Sequence, residues 1–140
     1  MDIEIITNRY VSSTPSERIL LDVWNLKSGF LYGTNLYPYK MSNLMGKAIT
    51  LVTINYEPVT VIDWDKDPST YDGLEPQFIF EWAKRSNFTY KWAHDDEFWG
   101  MIHKNGSGMG IFGILSTDKA DIGFNAFFLW ETEFHYLDYR

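Results

Sequence analysis

The feature that most constrains this chain is a change of hydrophobic period between Gly46 and Phe124. Ala48 to Ile54 is a continuous apolar, β-branched run, bounded by Gly46 and by the turn residues Glu57-Pro58, which is the pattern of a buried strand. Val59 to Ile62 is extended, and Asp63 to Gly73 reads as a polar loop on composition. Phe78, Ile79, Trp82 and Ala83 then recur at helical spacing, Pro76 suits a first turn, and Glu75 sets negative charge near the positive end of the macrodipole. That helical face is expected to be buried. Phe88 to Trp92 alternates as a strand, and Asn105-Gly106 is the strongest short turn signal in the chain. Ile111 to Leu115 follows Gly108 and Gly110 and suits a short helix, and Asp121 to Phe124 is a further short strand. Strand, helix, strand, short helix, strand is the alternation that builds a parallel α/β sheet.

Upstream, Ile3 to Ile6 and Ile19 to Trp24 are short apolar runs separated by the turn chemistry of Ser12-Ser13-Thr14-Pro15-Ser16. They read as strands without enough partners to make a core. With 140 residues, 45% hydrophobic and 22% charged, the chain lies in the globular range and allows one domain or a piece of one. Twelve Lys and Arg against nineteen Asp and Glu give a net charge of −7, a field that repels phosphate backbones and anionic membranes, so a nucleic-acid partner is not expected. There is no cysteine, which excludes a disulfide framework, a thiolate zinc site and a thiol nucleophile. Apolar stretches such as Ala126 to Trp130 fall far short of the roughly 18 to 20 residues that span a bilayer. Met1-Asp2-Ile3-Glu4 has neither the basic nor the apolar region of a secretory signal, so the expectation is an intracellular chain or an N-terminus lying upstream.

Residue clusters with possible chemistry are few. Asp63, Asp65 and Asp67 open like a calcium loop, but Pro68 stands where the sharp turn needs Gly and Leu74 where a bidentate Glu belongs. Glu131, Glu133 and His135 would share one face if that segment were extended, and His94, Asp95 and Asp96 are adjacent, yet neither set has the spacing of a metal site. No nucleophile elbow or phosphate loop is present, so no catalytic residue, cofactor or metal is expected, and the chain reads as a non-enzyme. Aromatic residues make up 18%, with Trp24, Trp64, Trp82, Trp92, Trp99 and Trp130 spread along the length, most simply as core. Asn87-Phe88-Thr89 and Asn105-Gly106-Ser107 are glycosylation sequons, so Asn87 and Asn105 are candidate acceptors and lean the reading towards an extracellular protein.

In order, Asn43-Leu44-Met45-Gly46, Ile49 to Thr53, Glu57-Pro58, Gly73 opening the helix, Trp99-Gly100, Gly110-Ile111-Phe112-Gly113-Ile114-Leu115 and Ala120-Asp121-Ile122-Gly123 resemble the first ligand-binding segment of ionotropic glutamate receptors. Leu137-Asp138-Tyr139 stands where that family has an "I-D-F" run before its first membrane helix. The divergence, with Asn35-Leu36-Tyr37-Pro38 upstream, looks most like the insect ionotropic receptors, the chemosensory, thermosensory and hygrosensory branch. The resemblance implies an α/β fold, an incomplete part of a periplasmic-binding-protein-like (type II) clamshell lobe. It divides the chain into residues 1–42, a partial N-terminal extracellular region, and 43–140, the first segment of a ligand-binding domain. It further implies a subunit of a ligand-gated cation channel, assembled with other subunits as a tetramer, on the extracellular side of the plasma membrane.

The departures bear on the ligand. Where the family has the Arg that holds an amino acid's carboxylate, this chain has Glu133; the "P-L-T" segment aligns with Ala126, Phe127 and Phe128, and the aromatic after Glu-Pro aligns with Val59. An inverted charge, a lost hydroxyl and a missing ring make a carboxylate ligand improbable there. Glu133 beside Phe127, Phe128 and Trp130 would suit an amine through charge pairing and cation–π contact. The simpler alternative has the rings packing the lobe and Glu133 facing solvent. Two further readings are a free-standing solute-binding protein of the same fold and a small non-catalytic carbohydrate-binding domain.

Overall fold

Alternating isoleucines and polar residues give the first strand, Asp2–Asn8 (β1), which pairs antiparallel with Arg18–Asn25 (β2); β2 pairs in turn with the short strand Gly29–Phe30 (β3). The two apolar runs that lacked partners in the sequence therefore supply them to each other. The register shifts between Ile5 and Ile6, and Leu21 is left without an opposite residue. The computed structural model describes residues 1–9, 18–63, 65–66, 69–94 and 98–139, so Ser12 to Ser16 lie outside the described residues. The chain divides into two compact units, Met1–Leu44 and Met45–Arg140.

In the first unit the sheet leaves Ile3, Ile6 and Leu20 nearly half exposed, and order comes from a buried carboxylate instead. Asp22 is fully buried; its Oδ1 accepts the N–H groups of Val23 (2.7 Å), Leu31 (3.1 Å) and Tyr32 (3.0 Å), and its Oδ2 accepts that of Thr34 (3.2 Å). Burial by itself raises the pKa of this carboxyl, but the backbone donors of Tyr32, Val23, Thr34 and Gly33 outweigh it and hold the group below 3.8.

The second unit is built on Lys47–Val52 (β4). A hairpin follows, Val61–Asp63 (β5), at the end of the segment read as extended, antiparallel to Thr70–Asp72 (β6), which lies where composition suggested only a loop. Ile62 is buried, and Tyr71 opposite it stacks on Trp92 at 3.7 Å, so two apolar contacts within a polar stretch hold the pair together. Asp63 pairs with Lys66 at 2.9 Å, while Asp67 and Pro68 of the calcium-like pattern lie outside the described residues, as do Asp95 and Asp96.

Helix α1, Leu74–Ser86, ends at Asn87, which turns left-handed at φ 50° and donates its N–H to the Ala83 carbonyl. Pro76, Ile79 and Ala83 form its buried stripe, but Phe78, expected on that face, is 72% exposed. It lies instead with Leu74 at i, i+4 spacing on the outer side. Phe88–Ala93 (β7) then runs parallel to β4 along six paired positions. Met101–Ile102 (β8) and Gly108–Met109 (β9) form a hairpin around Asn105-Gly106, as the turn signal indicated, and feed Gly110–Ser116 (α2). A Cβ on Gly113 would sit 2.4 Å from the Gly108 carbonyl carbon, so this helix approaches the hairpin at a distance only glycine permits. Ile122–Gly123 (β10) completes a parallel sheet in the order β10-β4-β7.

The core lies between this sheet and α2: Val52, Ile111, Ile114 and Ala120 are buried together, with Ile54, Ala93, Trp99, Leu115 and Phe127 packed around them. The last element, Glu131–Phe134 (α3), is helical where an extended segment was considered, so Glu131, Glu133 and His135 do not share a face; only Glu133 is buried. Among the described residues no helix is long and apolar enough to cross a membrane.

Two outcomes follow. Phe112 is fully buried between Phe127 and Trp130, with ring centroids 5.0 and 5.7 Å away, so Phe112→Ala should cost about 3–5 kcal/mol in a urea melt of the second unit. Because the folded-state pKa of Asp22 is depressed, its contribution to the first unit is present above the ordinary value of 3.8 and lost as pH falls through the lower folded value. An acid titration followed by amide exchange should show the N–H groups of Leu31, Tyr32 and Thr34 losing protection together in that window, and Asp22→Asn should lose it at neutral pH.

Candidate functional site

Ligands of open parallel sheets bind beyond the carboxyl ends of the strands, where the exit loops meet. Here the exits are residues 53–60 after β4 and 124–130 after β10, and one side chain ties them together. Asn125 is fully buried; its Nδ2 donates to Thr53 Oγ1 (3.2 Å) and the Ile54 carbonyl (2.6 Å), and its Oδ1 accepts the indole N–H of Trp99 (3.3 Å). Asn55 Oδ1 takes the Ile62 N–H at 2.8 Å, and Tyr56 and Thr60 close the loop as an isolated antiparallel bridge around the cis Glu57–Pro58 peptide.

The N-terminus of α1 docks on that loop. Gly73 has φ 102°, and a Cβ there would lie 2.6 Å from the Val59 carbonyl oxygen, which also accepts the Glu75 N–H at 3.2 Å. Glu75 then reaches across to the second exit loop, where its Oε1 accepts the N–H of Ala126 at 2.9 Å. Ala126 is left-handed at φ 47°, an unusual conformation for a residue with a Cβ. Glu75 Oε2 and Thr60 Oγ1 are buried without hydrogen-bond partners among the described residues. Val59 and Ala126, two of the positions singled out in the sequence, are thus joined through Glu75, which the sequence marked only as a helix-terminal charge.

The remaining candidates separate. Phe127 is half-buried and belongs to the core against Phe112, whereas Phe128 is 66% exposed and touches Trp130 at 6.1 Å. Trp130 lies edge-on to Phe112 and to Trp99, at 5.7 and 6.4 Å. Glu133 does not face solvent; it is 7% exposed on α3. Burial, and then the charge of Glu133, push the Tyr139 hydroxyl above its ordinary 10.0. Among the described residues neither Glu75 nor Glu133 has a cationic partner, and no three metal-ligating side chains gather. Asn125 and Thr60 were not singled out in the sequence, and Glu75 only as a helix-terminal charge; an Asn directly following an apolar strand was the one available signal.

Similar architectures occur among solved structures. The ionotropic glutamate receptor ligand-binding domain of Mnemiopsis leidyi in its D-serine complex matches with a TM-score of 0.59 at 18% identity, over 66% of this chain and 39% of that one. An arginine-to-lysine mutant of that Mnemiopsis leidyi domain, in its glycine complex, matches with a TM-score of 0.51 at 20% identity, over 57% of this chain and 34% of that one. The chain shares the fold of part of such a domain. It spans about two fifths of the first neighbour's length or less. No family model and no curated protein matches the sequence.

The Glu75 bridge gives a direct check. Glu75→Ala frees the Ala126 N–H and should cost about 1–3 kcal/mol in denaturant unfolding. Glu75→Gln keeps a carbonyl acceptor for that N–H and should cost less; equal losses in the two variants would show that the charge at the helix terminus, and not the bridge, sets the stability.

Proposed function

We propose that this chain forms part of a small-molecule-binding lobe of the ionotropic glutamate receptor kind, and that it binds rather than catalyses. The observation that supports this reading most is the meeting of the β4 and β10 exit loops with the N-terminus of α1 at the carboxyl edge of a parallel sheet, in a fold whose solved neighbours hold D-serine and glycine.

The residues at this edge favour a ligand without a carboxylate. The Ala126 N–H, a donor that an anion would use, already serves Glu75 Oε1. The position where the resembling family carries its carboxylate-binding Arg holds Glu133, which is buried and has no cationic partner among the described residues. A carboxylate placed against Glu133 would meet like charge, so an amine or a neutral molecule is the better match. In the same reading the chain belongs to a cation-channel subunit of the insect ionotropic receptor branch, with a chemosensory, thermosensory or hygrosensory role. It would stand outside the plasma membrane, assembled with other subunits as a tetramer. Ligand preference for one clamshell state would then drive the linkers to the pore.

Chemical-shift mapping of the 140-residue chain with small amines, glycine and D-serine at millimolar concentration tests the ligand class. Shifts clustered at Val59, Glu75 and Ala126 with amines alone are expected; the same shifts produced by glycine or D-serine would overturn it. Membership of a channel is tested in the transcript that flanks the chain, where apolar stretches of about 20 residues each should follow Arg140.

A further inference from the structure

The two sequons occupy unlike places in the fold. Asn87 closes α1 in a left-handed turn, its carbonyl accepts the Gly46 N–H at 2.8 Å, and the next residue, Phe88, is buried at 6% exposure as β7 begins. Thr89, whose hydroxyl completes that sequon, is paired with Ala48 in the parallel sheet and donates to the Gly46 carbonyl at 3.3 Å, not to Asn87. Asn87 is exposed, but engaging its whole sequon in the folded chain would require Phe88 to leave the core and the first β4–β7 pairs to open.

Asn105 stands on the exposed tip between β8 and β9, beyond the last strand pair. Its Oδ1 accepts two hydrogen bonds from the third residue of its own sequon, the Ser107 N–H at 3.1 Å and the Ser107 hydroxyl at 2.7 Å. Both withdraw density from the carboxamide and make the Nδ2 protons more acidic. Nδ2 itself makes no hydrogen bond to the described residues. Gly106 between them has φ 82°, and the nearest atom to a Cβ placed there is a Tyr136 ring carbon at 3.8 Å, so the middle position offers no bulk to an approaching enzyme. The tip is held from below, where the Tyr136 hydroxyl donates to the Lys104 carbonyl at 2.8 Å.

We propose that Asn105 is the N-glycan acceptor of this chain and that Asn87, with the same three-residue signal, is passed over. The transfer forms a bond between Asn105 Nδ2 and the anomeric carbon of an oligosaccharide carried on a polyprenyl pyrophosphate. That carbon's bond to the pyrophosphate oxygen breaks, the lipid pyrophosphate leaves with the electron pair, and one Nδ2 proton passes to a base of the transferase. The glycan then projects from the β8–β9 tip into solvent, where its bulk displaces nothing in the core.

The test places the 140-residue chain behind a cleavable secretion leader in insect cells, which supplies entry to the glycosylation machinery, and measures intact mass before and after peptide N-glycosidase. One glycan is expected on the unaltered chain, with aspartate found at position 105 after enzymatic release; this mapping needs no variant that might misfold. The glycan should disappear in Asn105→Gln and in Ser107→Ala and persist in Asn87→Gln. A chain that acquires no glycan, a released aspartate at position 87, or a glycan that survives Asn105→Gln overturns the assignment.

Discussion

The second unit depends on one constraint, the need to bury β4 on both faces. Parallel neighbours on either side leave its C-terminal half no free edge, and the crossovers that join parallel strands cover its faces there. Leu51 and Val52, which point to opposite faces, are both fully buried. Val52 meets Ile111 and Ile114 of α2, and so fixes where the short helix must lie. The glycines at 108 and 113 then allow α2 to sit against the β8–β9 hairpin, which carries Asn105 at its tip.

The same strand arrangement creates the candidate site as a by-product. Parallel strands bring their exit loops to one edge, and loops carry backbone donors and acceptors that must be satisfied. Asn125 does this for the β4 exit, Glu75 for Ala126, and the Val59 carbonyl for the first turn of α1. Each bond crosses between segments distant in sequence, so the edge is held as a unit. What is left over, Glu75 Oε2 and Thr60 Oγ1, is polar and buried without partners among the described residues, a costly state that proteins keep at few places.

The reading of elements from sequence worked where the hydrophobic period was strong. The runs at Ala48 to Ile54, Phe88 to Trp92 and Ile111 to Leu115 became β4, β7 and α2 with small shifts at their ends. It worked less well where one or two contacts decide. Tyr71 turns a polar stretch into a hairpin by stacking on Trp92, a residue it could not be matched to without the fold. Phe78 has the spacing of a buried residue, yet the stripe through Pro76, Ile79 and Ala83 rotates it outwards. In the first unit, Asp22 lies within the run Ile19 to Trp24, read only as apolar, and is the group on which the N–H groups of Leu31, Tyr32 and Thr34 are hung.

The succession β4, α1, β7, α2 and β10 in the second unit, the absence of thiol chemistry, the acidic charge and the position of both sequons were determined by the sequence alone, because each depends on local pattern or on composition. The tertiary structure decided which residues meet. It joined Val59 to Ala126 through Glu75, drew Glu133 out of solvent to bear on Tyr139, and set one sequon in a strand and the other on an open tip. The bond from Glu75 to Ala126 spans 51 residues, and no periodicity in the chain encodes a contact at that distance.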